Sequence, residues 1–433
     1  MIDRRSMMAG VALAAGAAPA LARTTAPAQT PPAAAPAQPS LAERLTQRAA
    51  ENRRRIRLAD GVFSGEGWDL LTSEAGRAHA VLIGEEHGIA ENPKMVVALI
   101  AAARGDGPAV LGLEVSPFMA VELDRAARDG VDGLRRMYAD PTRMAAFYSM
   151  REEAEMLAAV RAATPGDAPA FWGLDYDVAA DRFAIRTLKA IEKPAAATAA
   201  LDALEAASTE SWARYAETHG PQFIFNFAGD PALVRAVREA WPQAPADAAW
   251  MLEVMEETLE INRLFVAGRG QASNQRRADL NKRNLLRHWS AARAAHGRAP
   301  KAFYKFGASH MVRGLSTTES FDLGTMIPEL AAVEGGSTFS MMVLPGKGAA
   351  TAVFDPSAMT FRQGPPSTGY GAGLDLLIDQ AFDSDFTLFD LRPLRPLLSG
   401  GARSAAQDRE LVRTIHGFDT LLVMAGSTPS GNL

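Results

Sequence analysis

Short unbroken apolar runs alternate along this chain with stretches in which apolar residues recur every three or four positions. The runs at Ala80–Gly84, Ala109–Leu113, Ala170–Leu174, Lys301–Phe306, Ser337–Leu344 and Asp419–Met424 have the length and composition of strands. Helical periodicity predicts a helix from Leu41 through Arg53 and another from Pro93 to about Arg104, stopping at Gly105. Asn92 is placed to cap the second of these, and Ser116 to cap a third that runs to about Arg128. From about 182 to 290 the pattern is helical throughout, as in Trp250, Val254, Met255, Leu259, Ile261 and Leu264. Strand, helix, strand, helix at this spacing implies an α/β fold with a mostly parallel sheet flanked by helices. The 182–290 stretch reads as an inserted helical cap that covers the sheet edge and supplies a substrate-selective wall.

Two of the runs end alike: a glycine breaks the strand and a histidine follows three residues later, at Gly84-Glu85-Glu86-His87 and at Gly307-Ala308-Ser309-His310. Two others end in acids, Glu114 and Asp175. Open α/β sheets bind their ligands at the carboxyl ends of their strands, so these side chains are candidates for one reaction site. A carboxylate beside an imidazole fixes its tautomer and raises its basicity, which suits His87 to a general base with Glu85 or Glu86 behind it. The competing readings are a solvated acidic turn for 85–87, a satisfied structural histidine for His310, a helix-capping glutamate for Glu114 and an ordinary Asp-x-Asp turn for Asp175. Arg277, Asn281 and Asn284 share one helical face. A guanidinium there would hold a substrate carbonyl or orient a catalytic carboxylate, which makes Arg277, Asn284 and Asp175 candidate substrate-binding residues; a solvated charged face is the alternative. His87, His310 and Glu114 are also a reasonable ligand set for a divalent metal.

Composition narrows the classes. The 433 residues are 48% hydrophobic and 22% charged, with a net charge of -5, which fits a globular core and gives no nucleic-acid groove. The partner expected is a small molecule. With Cys 0, a disulfide scaffold, a thiolate metal site and a cysteine nucleophile are excluded. Paired arginines at Arg4-Arg5 precede the apolar stretch 7–22, which ends in Ala20-Leu21-Ala22. This resembles a twin-arginine signal peptide over 1–22, predicting a periplasmic or secreted protein with no stable membrane insertion once the signal is cleaved. Residues 23–40 are rich in proline and alanine and read as a disordered linker. The folded domain then spans 41–433.

The chain has no Gly-x-Ser-x-Gly elbow, no His-Glu-x-x-His, no phosphate-binding Gly-x-x-x-x-Gly-Lys and no dinucleotide fingerprint. Taken in order, Gly84 to Gly88, Gly112-Leu113-Glu114, Trp172 to Asp175, Arg277 to Asn284, Gly307 to His310, Gly417-Phe418-Asp419 and Thr428-Pro429 resemble the erythromycin esterase family. Its wider relatives are the haem-binding ChaN-like proteins and the Tiki/TraB proteases. The resemblance implies a hydrolase of an ester or lactone that needs no cofactor: His87 is the base that activates water, Glu85 and Glu114 orient it or tune its charge, and His310 stabilises an oxyanion or leaving group. One residue fewer separates the first glutamate from the histidine than in many esterases, which leaves Glu85 and Glu86 as alternatives for the catalytic place. The wider relatives imply two other outcomes, a divalent-metal-dependent hydrolase or a haem-binding protein.

Overall fold

All six apolar runs become strands, and they lie side by side. The computed structural model describes residues 39–433 apart from 106, 108, 367–371 and 400–407; the expected signal peptide and nearly all of the linker fall outside the described residues. The strands are β1 Arg53–Ala59, β2 Val62–Ser64, β3 Ala80–Glu85, β4 Ala109–Leu113, β5 Phe171–Gly173, β6 Lys301–Gly307, β7 Thr338–Pro345, β8 Thr351–Asp355, β9 Thr360–Gly364, β10 Phe386–Asp390 and β11 Thr420–Met424. One 9-stranded sheet runs β2-β1-β10-β11-β7-β3-β6-β4-β5, and β8 pairs with β9 in a separate hairpin. From β11 to β5 every pairing is parallel. The antiparallel pairings in this sheet are β10 with β11, β1 with β10 and β2 with β1.

Alternate residues of each central strand feed two separate apolar layers, one on each face. Val81, Ile83, Leu111, Phe303 and Met341 pack into one, while Ala80, Leu82, Val110, Tyr304 and Met342 pack into the other. Burial on both faces is why these strands are apolar without alternation. The register then fixes the site. Although β3 and β4 are neighbours in sequence, β6 lies between them, with Gly307 opposite Glu85 and Lys305 opposite Leu113. The carboxyl ends of three strands thereby meet at one level.

Several expectations are corrected. The first helix ends at Glu51, and Arg53 opens β1 instead; the arginine-rich strand RRRIRLA buries only Ile56 and so carries little apolar signal. The helix after His87 spans Glu91–Ala103, and Asn92 does not cap it, because its side chain turns inward to Glu85. Ser116 stands at the helix start without a side-chain cap bond. Between Asp181 and His296 the described elements are all helical. This region belongs with the sheet to one compact unit, Ser40–Leu433, and its last long helix, Gly270–His296, lies against the edge strand through His288 Nε2 and the Gly173 carbonyl, 3.2 Å apart. No helix among the described residues is long and apolar enough to cross a membrane.

Candidate active site

The carboxyl ends of β3, β4 and β6 border a cleft of about 360 Å³ lined in part by Glu85, Glu86, His87, Glu114, Arg277 and His310. The paired strand-end motifs and the acid between them therefore converge. His87 presents Nδ1 to Glu85 Oε1 at 2.8 Å and Nε2 to Glu114 Oε2 at 3.4 Å. His310 presents Nε2 to Glu114 Oε1 at 3.5 Å and Nδ1 to Asp322 at 2.6 Å. Arg277 Nη2 donates to Glu114 Oε1 at 2.8 Å, and the Gly307 amide donates to Oε2 at 2.6 Å. Glu114 thus stands between both imidazoles and a guanidinium. The His87 side chain is 21% exposed while Glu114 is 4% exposed, so the ring faces the cleft and the carboxylate lies beneath it.

Two glycines keep the chain close-packed around these groups. A Cβ on Gly307 would lie 3.1 Å from His87 Nε2 and 3.5 Å from Glu114 Oε2, and would crowd the space between the imidazole and the carboxylate. Gly88, at φ +82, lets the chain turn back after His87; a Cβ there would meet the Ala352 backbone at 2.2 Å.

The electrostatics follow from burial and pairing. Burial alone would lower the His87 pKa, but Glu114 and then Glu85 outweigh it and raise it to about 10. Burial and the neighbouring Arg277 act against protonation of His310, yet Glu114 and Asp322 prevail and raise its pKa. Burial would raise Glu114, but His87, His310 and Arg277 hold it well below the usual carboxylate range. The cleft therefore gathers two imidazoles whose protonated forms are favoured, and a guanidinium, around the Glu114 carboxylate. Such fixed positive charge suits the binding of a developing oxyanion.

Each expected residue has a definite place. Glu86 is buried and lines the cleft beside Glu85. Asp175, 1% exposed, grips Arg277 through two bonds, to Nε at 2.9 Å and to Nη2, so it orients the guanidinium from below. Asn284 is fully buried: its amide nitrogen donates to the Leu174 carbonyl at 3.1 Å and its oxygen accepts from Trp250 Nε1 at 2.9 Å. Substrate contact expected of Asn284 gives way to a role in anchoring the helix that carries Arg277. Of the helical insertion, only Arg277 is among the described lining residues, so the insertion does not supply the wall expected of it; Phe147, Ser309, Thr317, Thr318, Glu410 and Arg413 also border the cleft.

Sequence reading missed several supports. The Phe147 ring stacks on His87 with centroids 3.7 Å apart at 9°. Tyr148 OH accepts from the Glu114 amide at 3.1 Å and donates to the Lys305 carbonyl at 3.0 Å, tying β4 to β6. Asn92 donates to the second oxygen of Glu85. Of the missed residues, Lys305 alone gave a signal, as the single charge within the apolar run AFYKFG.

A divalent metal would need the inner face of this cluster. The outer nitrogens are held as those of metal-bound histidines often are, by the carboxylates of Glu85 and Asp322. Both Glu114 oxygens, however, already accept N–H donors, one of them from a permanent cation, and among the described residues no group of three or more His, Cys, Asp or Glu is spaced to hold a metal ion. As they stand, these donors are committed to one another.

No family model matches the chain, and no curated protein matches it in sequence. Solved structures do match in fold. An erythromycin esterase mutant, EreC, in its open conformation, is 17% identical over 88% of this chain and 98% of its own, with a TM-score of 0.57. A Bacillus cereus protein is 13% identical over 91% of this chain and 100% of its own, at 0.55, and a succinoglycan biosynthesis protein is 13% identical over 92% and 100%, at 0.56. Identities this low establish a shared fold and nothing finer.

Proposed function

We propose that this chain is an exported hydrolase that opens a small-molecule ester or lactone by direct attack of water, with no covalent enzyme intermediate and no metal. The reading rests on one observation above all: the Glu114 carboxylate lies between two histidines and Arg277 at the floor of an open cleft. The fold shared with an erythromycin esterase supports it. The water oxygen bonds to the substrate carbonyl carbon while His87 Nε2 takes its proton, and the carbonyl electron pair moves onto oxygen. His310 and Arg277 offset that charge. When the intermediate collapses, the carbon–oxygen bond to the alcohol breaks and His87 returns the proton to the leaving oxygen.

This scheme requires His87 in its base form. Because Glu114 and Glu85 favour the protonated ring, turnover should climb as pH rises from 7 toward about 10, and should not level off near the 6.5 of an ordinary histidine. A screen of ester and lactone substrates across that range, with and without chelator, is the direct test. Chelator should leave the rate unchanged, and His87→Ala should cost about 100-fold or more with the fold intact. Parental turnover in that variant would sink the mechanism. A Soret band on haem titration with no ester turnover would favour the haem-binding reading, which the engagement of both His87 nitrogens by carboxylates disfavours.

A further inference from the structure

Beneath His87 lies a charged cluster that the hydrolytic scheme does not use. Lys305, 0% exposed, sits in the middle of β6 with its ammonium 2.5 Å from Glu85 Oε1 and 2.7 Å from Glu153 Oε1. A second cation meets the same Glu85 oxygen, since His87 Nδ1 is 2.8 Å away. Glu153 comes from the helix Arg151–Ala163 and is 1% exposed, and its other oxygen has no hydrogen-bond partner among the described residues. The Tyr148 ring closes the ammonium from the side, its centroid 5.4 Å from Nζ.

We propose that Lys305 is a positioning residue that sets how strongly Glu85 holds the His87 proton, with Glu153 setting how much of the lysine charge Glu85 receives. The inference rests on His87 being the base. Three observations carry it. A buried lysine is costly unless fully paired, and this one is paired to the carboxylate that orients the candidate base. Both cations converge on one oxygen, so charge drawn by Lys305 is denied to His87. Glu153 competes for Lys305 from the opposite side, which makes the cluster a balance and not a single salt bridge. Burial raises Glu153 to about 7 in spite of Lys305, so the strength of that competition changes within the working pH range. The charged or titratable groups facing Lys305 are Glu85 from β3, Glu153 from its helix and Tyr148 from the turn Ala146–Ser149.

Two variants pull in opposite directions. In Glu153→Gln, Lys305 leans wholly on Glu85 and the His87 pKa falls; in the double variant Lys305→Met with Glu153→Gln, Glu85 is left to His87 alone and the pKa rises. Removing the cation together with its second acid avoids stranding an unpaired charge and keeps the fold testable. The measurement is histidine-selective NMR titration of the substrate-free protein. Shifts of about half a unit or more, opposite in sign, are expected, and they should change turnover at neutral pH by about threefold in opposite directions. Identical His87 titrations in the parent and both variants would overturn the proposal, because a lysine that merely fills space would leave the ring unmoved. The titration needs no substrate. Opposed shifts in a protein that hydrolyses no ester would uphold the charge balance while defeating the hydrolase reading.

Discussion

Glu114 presents one oxygen to His87 and the Gly307 amide and the other to His310 and Arg277, so glutamine in its place keeps the shape and removes the charge. Its charge is foremost among the causes that raise His87. Glu114→Gln should therefore bring the His87 titration down from about 10 toward neutrality, as read by NMR; a titration unchanged from the parent would refute this account of the cleft. Gly307 offers a steric counterpart. Its missing Cβ leaves open the space beside His87 Nε2, and a displacement of about 1 Å in a reacting group costs on the order of 100-fold in rate. Gly307→Ala should show that loss in kcat with an unchanged melting temperature. A Gly307→Ala enzyme with parental kcat would place the attacking water elsewhere.

At the scale of elements, the six strands legible in the sequence are those of the parallel part of the sheet, and the physical reason is burial on both faces. The strands that were missed, β1, β2, β8, β9 and β10, all make antiparallel pairings. Two of them show how the signal is lost: β1 is mostly arginine, and β2 has only 3 residues. Site residues followed the same division. His87, Glu114 and His310 were readable because each follows a strand ending. Phe147, Tyr148 and Asp322 reach His87, Glu114 and His310 respectively from a turn and a helix start that no period marks. Asn284 illustrates the limit of reading a helix face: sharing a face with Arg277 says nothing of how deep each lies. Asn284→Ala should lower stability by about 1–3 kcal/mol through the partners it leaves behind, with KM unchanged. A large KM effect at undiminished stability would return it to the substrate.

For the whole molecule, the buried charges fix a stability profile against pH. His87 is raised above its unfolded value, so its contribution is complete below about 6.5 and is lost as pH climbs toward about 10. Burial raises Glu153 and Asp177 to about 7, and an acid raised on folding weakens the native state progressively from its unfolded pKa up to that value. Glu114 is lowered, so its contribution is present above about 4.5 and is lost on further acidification. These terms together put the highest urea midpoint near about pH 5, with a decline from there to pH 10. A midpoint that rises over that interval would contradict the assignment of these charges.

The seat of β6 between β3 and β4 has a consequence for biosynthesis. A ribosome that has delivered every residue through Pro300 has already made His87 and Glu114, yet their strands have no direct pairing with each other and await a partner still to be translated. The second imidazole and the buried lysine arrive together on that late segment. Assembly of the cleft is thus withheld from the nascent chain until the missing strand slots into the gap.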